Sequence, residues 1–184
     1  MPSTADPATA AAPSPTRRFL DAVYDGAGAL AAVCMIGLLI MVVLSIVSRQ
    51  LGFHVRGTDA YAGYLMAGAG FLALAHTLKR GEHIRVTLLL GALRGSARRA
   101  LEIWSLGVAT ALATLFAYYS SRLVWQSLEF HDISTSNDAT PLWIPQLAMA
   151  LGTSLLALAF ADEWVLEILG RRKVPEEAEM LRNE

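Results

Sequence analysis

The residues that could carry chemistry are few and scattered along the chain. The four histidines, His54, His76, His83 and His131, do not show the spacing of a metal site, and none is placed as the base of a nucleophile. A membrane b-type haem needs histidines that face each other across helices, and only His76 falls inside a long apolar segment. The single cysteine, Cys34, excludes an intramolecular disulfide and a cysteine-based zinc site. The sequence therefore predicts no catalytic residue, no cofactor and no metal.

The acidic residues lie outside the apolar segments or at their ends. Carboxylates inside a membrane usually mark an ion or proton path, so the chain alone is not expected to be a pore or a pump. Asp59 comes closest, at the start of the second apolar segment. A carboxylate there can stabilise the N-terminus of a helix or contact another subunit, and the sequence leaves both readings open.

The elements that position these residues are membrane helices. Of the 184 residues, 54% are apolar and 17% are charged, against about 45–50% and about 25% in soluble domains. This apolar composition indicates that the chain lies in the lipid bilayer. The formal net charge of −1 provides no basic field that would attract nucleic acid.

Hydropathy predicts an all-α integral membrane fold with four transmembrane helices. Each candidate has the roughly 20 apolar residues that a span requires. The predicted spans are about 26–47, 60–78, 103–121 and 141–161, within a membrane domain of residues 19–168. Residues 1–18 are proline-rich and are expected to form a disordered cytoplasmic tail, and 169–184 a cytoplasmic C-terminal tail.

The distribution of basic residues predicts that both termini are cytoplasmic, because short loops rich in Lys and Arg remain on that side. Twelve of the fifteen basic residues lie before span one, between spans two and three, or after span four: Arg17, Arg18, Lys79, Arg80, Arg85, Arg94, Arg98, Arg99, Arg171, Arg172, Lys173 and Arg182. An even number of spans also places both termini on the same side of the membrane, so the charge distribution and the hydropathy agree.

Two loops have further local patterns. Apolar residues recur at helical spacing within residues 84–100, which favours a short interfacial helix between spans two and three. Before span four, Thr140 can cap a helix and Pro141 can occupy its first position, so that span is expected to start close to Pro141.

Small residues and tryptophans indicate how the helices pack and where they meet the membrane surface. Ala60, Gly63, Ala67 and Gly70 form a stripe on span two that can pack within the bundle or on a partner subunit. Trp104, Trp125, Trp143 and Trp164 lie near predicted helix ends and are expected to be membrane-interface anchors.

The densest polar motif follows span two and includes Glu82, His83 and Arg85. On residue chemistry alone, it is a positive-inside signal that also contacts lipid headgroups.

Three features together resemble the small membrane subunit of tripartite ATP-independent periplasmic (TRAP) transporters, the Q-type or DctQ-like permease. The first is the stretch 57–86, with an acidic start, a small-residue span two, and an end formed by His83, Ile84, Arg85 and Val86. The second is the run of Pro141, Leu142, Trp143, Ile144 and Pro145, with Gly152 after it. The third is the plan of four spans with both ends inside.

Two positions depart from this family pattern. Ala60 follows Asp59 where a second acid is common, and Thr87 follows Val86 where an Asp is common. Roles that rest on those two acids are not carried over to this chain.

The resemblance implies a non-catalytic subunit in a bacterial inner membrane. Its partners would be a large multi-span permease subunit, which takes up an organic acid such as a dicarboxylate by ion-coupled transport, and a periplasmic substrate-binding protein. Together, the residue patterns and the resemblance favour a set of residues for helix packing or for a subunit interface: Asp59, Ala60, Gly63, Ala67, Gly70, Glu82, His83, Arg85, Pro141, Pro145 and Gly152. The alternatives are a membrane anchor of an electron-transfer complex and a self-associating tetraspan scaffold.

Overall fold

The described residues form four α-helices. The computed structural model describes residues 15–53, 55–79, 96–136 and 138–170. Within them, α1 is Pro15–Gln50, α2 is Thr58–Lys79, α3 is Ser96–Glu129 and α4 is Trp143–Ile168. No strand occurs in these ranges beyond one isolated bridge, between Ile133 and Pro141. The all-α prediction is confirmed.

The helices pack as an open layer in the order α1, α2, α4, α3. Extensive contacts join α1 with α2, α2 with α4, and α4 with α3, and in the described ranges no comparable contact between α1 and α3 closes a ring. We call the end where α1 and α3 begin the proximal end, and the opposite end the distal end. Because the edge helices each have one main neighbour, much of their apolar surface is exposed, including Ile36 and Leu39 on α1 and Leu112 and Leu115 on α3.

Small side chains bring the central helices together. A buried cluster at the proximal end contains Tyr24, Ala75, Leu78 and Ala159, from α1, α2 and α4. Alanines and glycines allow such close approach because they leave little side chain between two helix backbones. The core is correspondingly small, and the fold relies on narrow helix seams rather than on a wide apolar interior.

Three of the four helices are long and apolar enough to cross a membrane. They are the segments Arg17–Gln50, Ala97–Glu129 and Trp143–Ile168. Helix α2 has 22 residues but does not meet the same hydropathy criterion, because tyrosines, glycines and His76 dilute its apolar side chains. The hydropathy of the described residues thus supports three spans directly.

Two helices begin earlier than the sequence predicts. Helix α1 starts at Pro15, so residues 15–18, assigned to the disordered tail, are helical instead, and proline is well suited to a first turn because its missing N–H has no helical partner there. Helix α3 starts at Ser96, so residues 96–100 are its first turns rather than part of a separate interfacial helix. Residues 84–95 of that predicted helix lie outside the described residues.

The start of α4 is also corrected. The helix begins at Trp143, and its N-cap is Leu142, which makes no side-chain capping bond, so Thr140 does not cap it. Pro141 is not the first helical residue because it pairs with Ile133 in the loop bridge. Pro145 occupies the first turn, where a helix has no intrahelical acceptor for the missing N–H.

Candidate functional site

The small-residue stripe of α2 is not covered by the rest of the described chain. Gly63, Ala67 and Gly70 are exposed, and Ala60 is half-buried. A Cβ atom built on Gly63 or on Gly70 would meet no atom within 4 Å. The stripe therefore leaves a smooth, vacant face on which another helix backbone could pack closely.

The opposite face of α2 makes the contacts within the chain. Gly68 packs against Cys34 of α1 and Ala148 of α4, at 3.3 Å and 3.7 Å from its ideal Cβ position. Ala69 and Leu72 on the same side are also buried. This face is absent from the sequence-based predictions, although its spacing of three and four residues is the signal that could have identified it.

Gly152 belongs to a contact between helices of this chain. An added Cβ on Gly152 would collide with the main-chain carbonyl group of Phe71 and lie 2.9 Å from the Phe71 Cβ. Only glycine allows α2 and α4 to approach this closely. Of the residues that the sequence associates with an interface, Gly152 is thus placed inside the layer.

Asp59 joins the distal ends of α1 and α2. Its carboxylate lies 3.6 Å from an Arg49 guanidinium nitrogen and accepts a hydrogen bond of 3.2 Å from the Ser45 hydroxyl. It also lies in the first turn of α2, where the helix dipole favours an anion. Both Asp59 and Arg49 remain more than 70% exposed, so the pair is solvent-screened and weak.

A polar cluster at the proximal end, which we call the proximal cluster, joins the start of α1 to the end of α2. Asp21, Tyr24, Asp25, His76 and Lys79 line a cavity of about 100 Å³. Lys79 pairs with Asp21, and its ammonium group lies 4.7 Å from the centre of the Tyr24 ring. The Nδ1 atom of His76 lies 3.3 Å from an Asp25 carboxylate oxygen.

The position of His76 depends on Gly28, because a side chain on Gly28 would meet the imidazole ring at 2.9 Å. His76 is therefore a contact between helices, as expected for a satisfied histidine. No group of three potential metal ligands is found in the described ranges. This cluster is absent from the sequence-based predictions, although the spacing of Asp21 and Asp25 on one helix and of His76 and Lys79 on the next could have indicated it.

The loop between α3 and α4 is attached to α2 at the distal end. The Tyr64 hydroxyl donates a 3.1 Å hydrogen bond to Asp138, and Gly57, with φ of 81°, fits beneath the Asp138 side chain. Hydrogen bonding from Thr140 holds the pKa of the Asp138 carboxyl below its usual value, against opposing desolvation and with further help from Ser134 and Tyr64. This attachment is not evident from the sequence.

The four tryptophans occupy two kinds of position. Trp104 and Trp125 are exposed, whereas Trp143 and Trp164 are half-buried. The Trp164 indole N–H donates a 3.1 Å hydrogen bond to the Ile103 carbonyl, and its ring lies over Gly107. Trp164 thus connects α4 to α3 in addition to lying near a helix end.

Three of the interface residues suggested by the sequence, Glu82, His83 and Arg85, lie outside the described residues. The geometry of the candidate interface is therefore known only for the described residues, which include the proximal cluster and the vacant face of α2.

The sequence matches the model of a known protein family. Residues 38–170 match the sequence model of the family described as tripartite ATP-independent periplasmic transporters, DctQ component. The match includes the C-terminal third of α1 and all of α2, α3 and α4. A search of curated proteins returns no match.

Proposed function

The chain belongs to the DctQ family, the small permease component of TRAP transporters, and we propose that it supports a large permease subunit in ion-coupled uptake of an organic acid. The DctQ family functions with a large permease and a substrate-binding protein. The apolar helices of this chain are those of an integral membrane protein of the bacterial inner membrane. A dicarboxylate is the substrate class that we propose, on the basis of the family resemblance.

The vacant face of α2 is the observation that carries this proposal. Packing between membrane helices depends on close backbone approach because lipid is as apolar as the side chains it would replace. The stripe of Ala60, Gly63, Ala67 and Gly70 provides that approach and faces away from α1 and α4. We therefore propose that a helix of the large subunit packs on this stripe. Asp59, at the distal end of α2, would then lie beside the contact between the two subunits.

Co-purification with the large subunit tests this contact. Gly63→Leu and Gly70→Leu should each reduce the recovered complex and the uptake by the reconstituted three-component system, because leucine separates the two helices. The yield of the chain itself should be unchanged, since both positions are open. Gly26→Leu is the matched control, because its ideal Cβ position is equally open but lies on α1. Normal complex recovery for both stripe variants would contradict the proposal.

We also propose four spans, with α2 crossing the membrane between α1 and α4. Helix α2 is paired along its length with two helices that are apolar enough to span, and 22 residues correspond to about 33 Å, the thickness of a hydrocarbon core. The proximal end would then be cytoplasmic, in agreement with the basic residues that surround it, and both termini would lie inside.

Cysteine labelling tests this topology in a Cys34→Ala background. Cysteines introduced at Ser14 and Ser96 should resist an impermeant thiol reagent in intact cells, while one at Ser134 should react. Reaction at Ser96 together with protection at Ser134 would reverse the assigned orientation.

The electron-transfer anchor and the self-associating scaffold have less support. The described histidines, His76 and His131, lie at opposite ends of the layer, which does not suit a haem held between helices. A haem spectrum in the purified chain would favour the anchor, and a stable homo-oligomer that excludes the large subunit would favour the scaffold.

A further inference from the structure

An apolar groove runs along the outside of the seam between α3 and α4, starting at the proximal end. It has a volume of about 630 Å³ and is lined by Ala100, Ile103, Trp104, Gly107, Val108, Ala111 and Trp164. Small residues form part of its floor, since Gly107 lies under the Trp164 ring with 3.3 Å between the ideal Cβ position and the indole nitrogen. The exposed Trp104 ring stands beside this floor.

The length of the groove matches one leaflet. From Ala100 to Ala111 a helix rises about 16 Å, and half of a typical hydrocarbon core is about 15 Å. The groove starts near the proximal end of α3 and runs toward the middle of the layer. An extended acyl chain entering from the proximal surface would therefore occupy its full length.

The charge at the proximal mouth of the groove suits an anionic headgroup. Arg98 and Arg99 lie within one turn before the first lining residue. Arg98 forms an ion pair with Glu102, with 3.1 Å between Nε and the carboxylate oxygen, and one Nη of Arg99 donates a hydrogen bond to the Ile168 carbonyl oxygen. A guanidinium has five N–H donors, so these two bonds hold the side chains in place and leave further donors for a phosphate.

From this shape, length and charge we infer that the groove binds one acyl chain of an anionic phospholipid of the cytoplasmic leaflet, with its phosphate at Arg98 and Arg99. The cytoplasmic leaflet follows from the orientation proposed above. Lipid binding itself requires neither the large subunit nor transport, so it can be measured even if that proposal fails. A helix of the large subunit is the competing occupant.

Lipid binding to the full chain in detergent, measured by native mass spectrometry, tests the inference. The probes are phosphatidylglycerol and phosphatidylcholine with identical acyl chains. Each Lys or Arg near a membrane surface favours an anionic lipid. Glu102 offsets part of the Arg98 charge, so the two arginines together should give phosphatidylglycerol about tenfold tighter binding. Arg98→Gln combined with Arg99→Gln should remove that preference. Equal binding of the two lipids by the unchanged chain would overturn the inference.

A second pair of variants tests the location of the acyl chain. Ala111→Phe fills the groove from an exposed position, and Leu112→Phe adds an aromatic ring at the same depth on an exposed residue outside the lining. Ala111→Phe should reduce phosphatidylglycerol binding about tenfold, whereas Leu112→Phe should leave it unchanged. Circular dichroism confirms that both variants fold. Unchanged binding by folded Ala111→Phe would show that the lipid binds elsewhere and would refute the proposed site.

The two candidate occupants differ in a photocrosslinking experiment on native membranes. A phosphatidylglycerol with a diazirine in its acyl chain should label residues that line the groove when the chain is expressed with its large subunit. A crosslink from p-benzoylphenylalanine at Ala111 to the large subunit, with no lipid label, would show that a protein helix fills the groove and would overturn the inference.

Discussion

Gly152 of α4 lies directly against the main-chain carbonyl of Phe71 on α2, so the two central helices touch backbone to backbone. This contact lies at the middle of the layer, between the proximal cluster and the Asp138 attachment. The Phe71 ring also packs edge-on against Phe116 of α3, with 6.0 Å between the ring centres. One pair of residues therefore sets the spacing of α2 and α4, while the neighbouring ring reaches the edge helix.

Gly152→Ala should destabilise the chain strongly. The added methyl group has nowhere to go because the nearest atoms are backbone rather than a flexible side chain, and overpacking of this kind costs about 1–3 kcal/mol. Thermal unfolding in detergent should show a lower midpoint. Gly63→Ala is the control and should unfold like the unchanged chain, since its Cβ position is open. Equal midpoints for both variants would mean that α2 and α4 are farther apart than the structure has them.

Two of the ion pairs between α1 and α2, Lys79–Asp21 and Arg49–Asp59, should differ in strength. Lys79 and Asp21 are only 23% and 43% exposed, whereas Arg49 and Asp59 are 72% and 79% exposed. A double-mutant cycle with Lys79→Met and Asp21→Asn should give a coupling of about 1 kcal/mol, and the matched cycle at Arg49 and Asp59 at most about 0.5 kcal/mol. A larger coupling at the distal pair would contradict this ranking.

Asp138→Asn should lower stability in a pH-dependent way. Because the folded-state pKa of Asp138 is lowered, its ionised form contributes stability above the unfolded value of about 3.9, and that contribution is lost as the pH falls through the folded-state pKa. The difference in unfolding midpoint between the unchanged chain and Asp138→Asn should be constant from about pH 5 to 7 and shrink below about pH 4. Tyr64→Phe removes one donor and should reduce this difference in part.

Arg85→Lys and His83→Ala should each lower complex yield and uptake while membrane insertion stays intact. If these residues served only as a topology signal, lysine would replace arginine without effect. If Arg85 makes a forked hydrogen bond to a carboxylate or to helix-end carbonyls, lysine cannot reproduce it, and the loss is roughly 1.5–3 kcal/mol, or about ten- to hundredfold in assembly. Wild-type uptake by both variants would support the topology-signal reading.

The exposure of the α2 stripe and the burial of Gly152 show what residue spacing leaves open. Both are small residues on apolar helices, and the sequence treats both as interface candidates. The direction in which each faces depends on which helix is its neighbour, and helices α2 and α4 are neighbours although α3 separates them along the chain. Periodicity identifies a packing face but not its partner.

The sequence by itself determined that the chain is all-helical and apolar, and it carried the family signature. These properties follow from local composition, because a segment of about 20 apolar residues needs no tertiary contact to favour a membrane helix. Helix limits were less well determined, since a polar turn can extend an apolar helix, as at Pro15 and Ser96. Only the tertiary structure decided the order of the helices in the open layer, the proximal cluster of Asp21, Asp25, His76 and Lys79, and the attachment of Asp138 to Tyr64. Those contacts join residues far apart in the chain, and their formation depends on backbone approach at Gly28, Gly57 and Gly152, which no local pattern specifies.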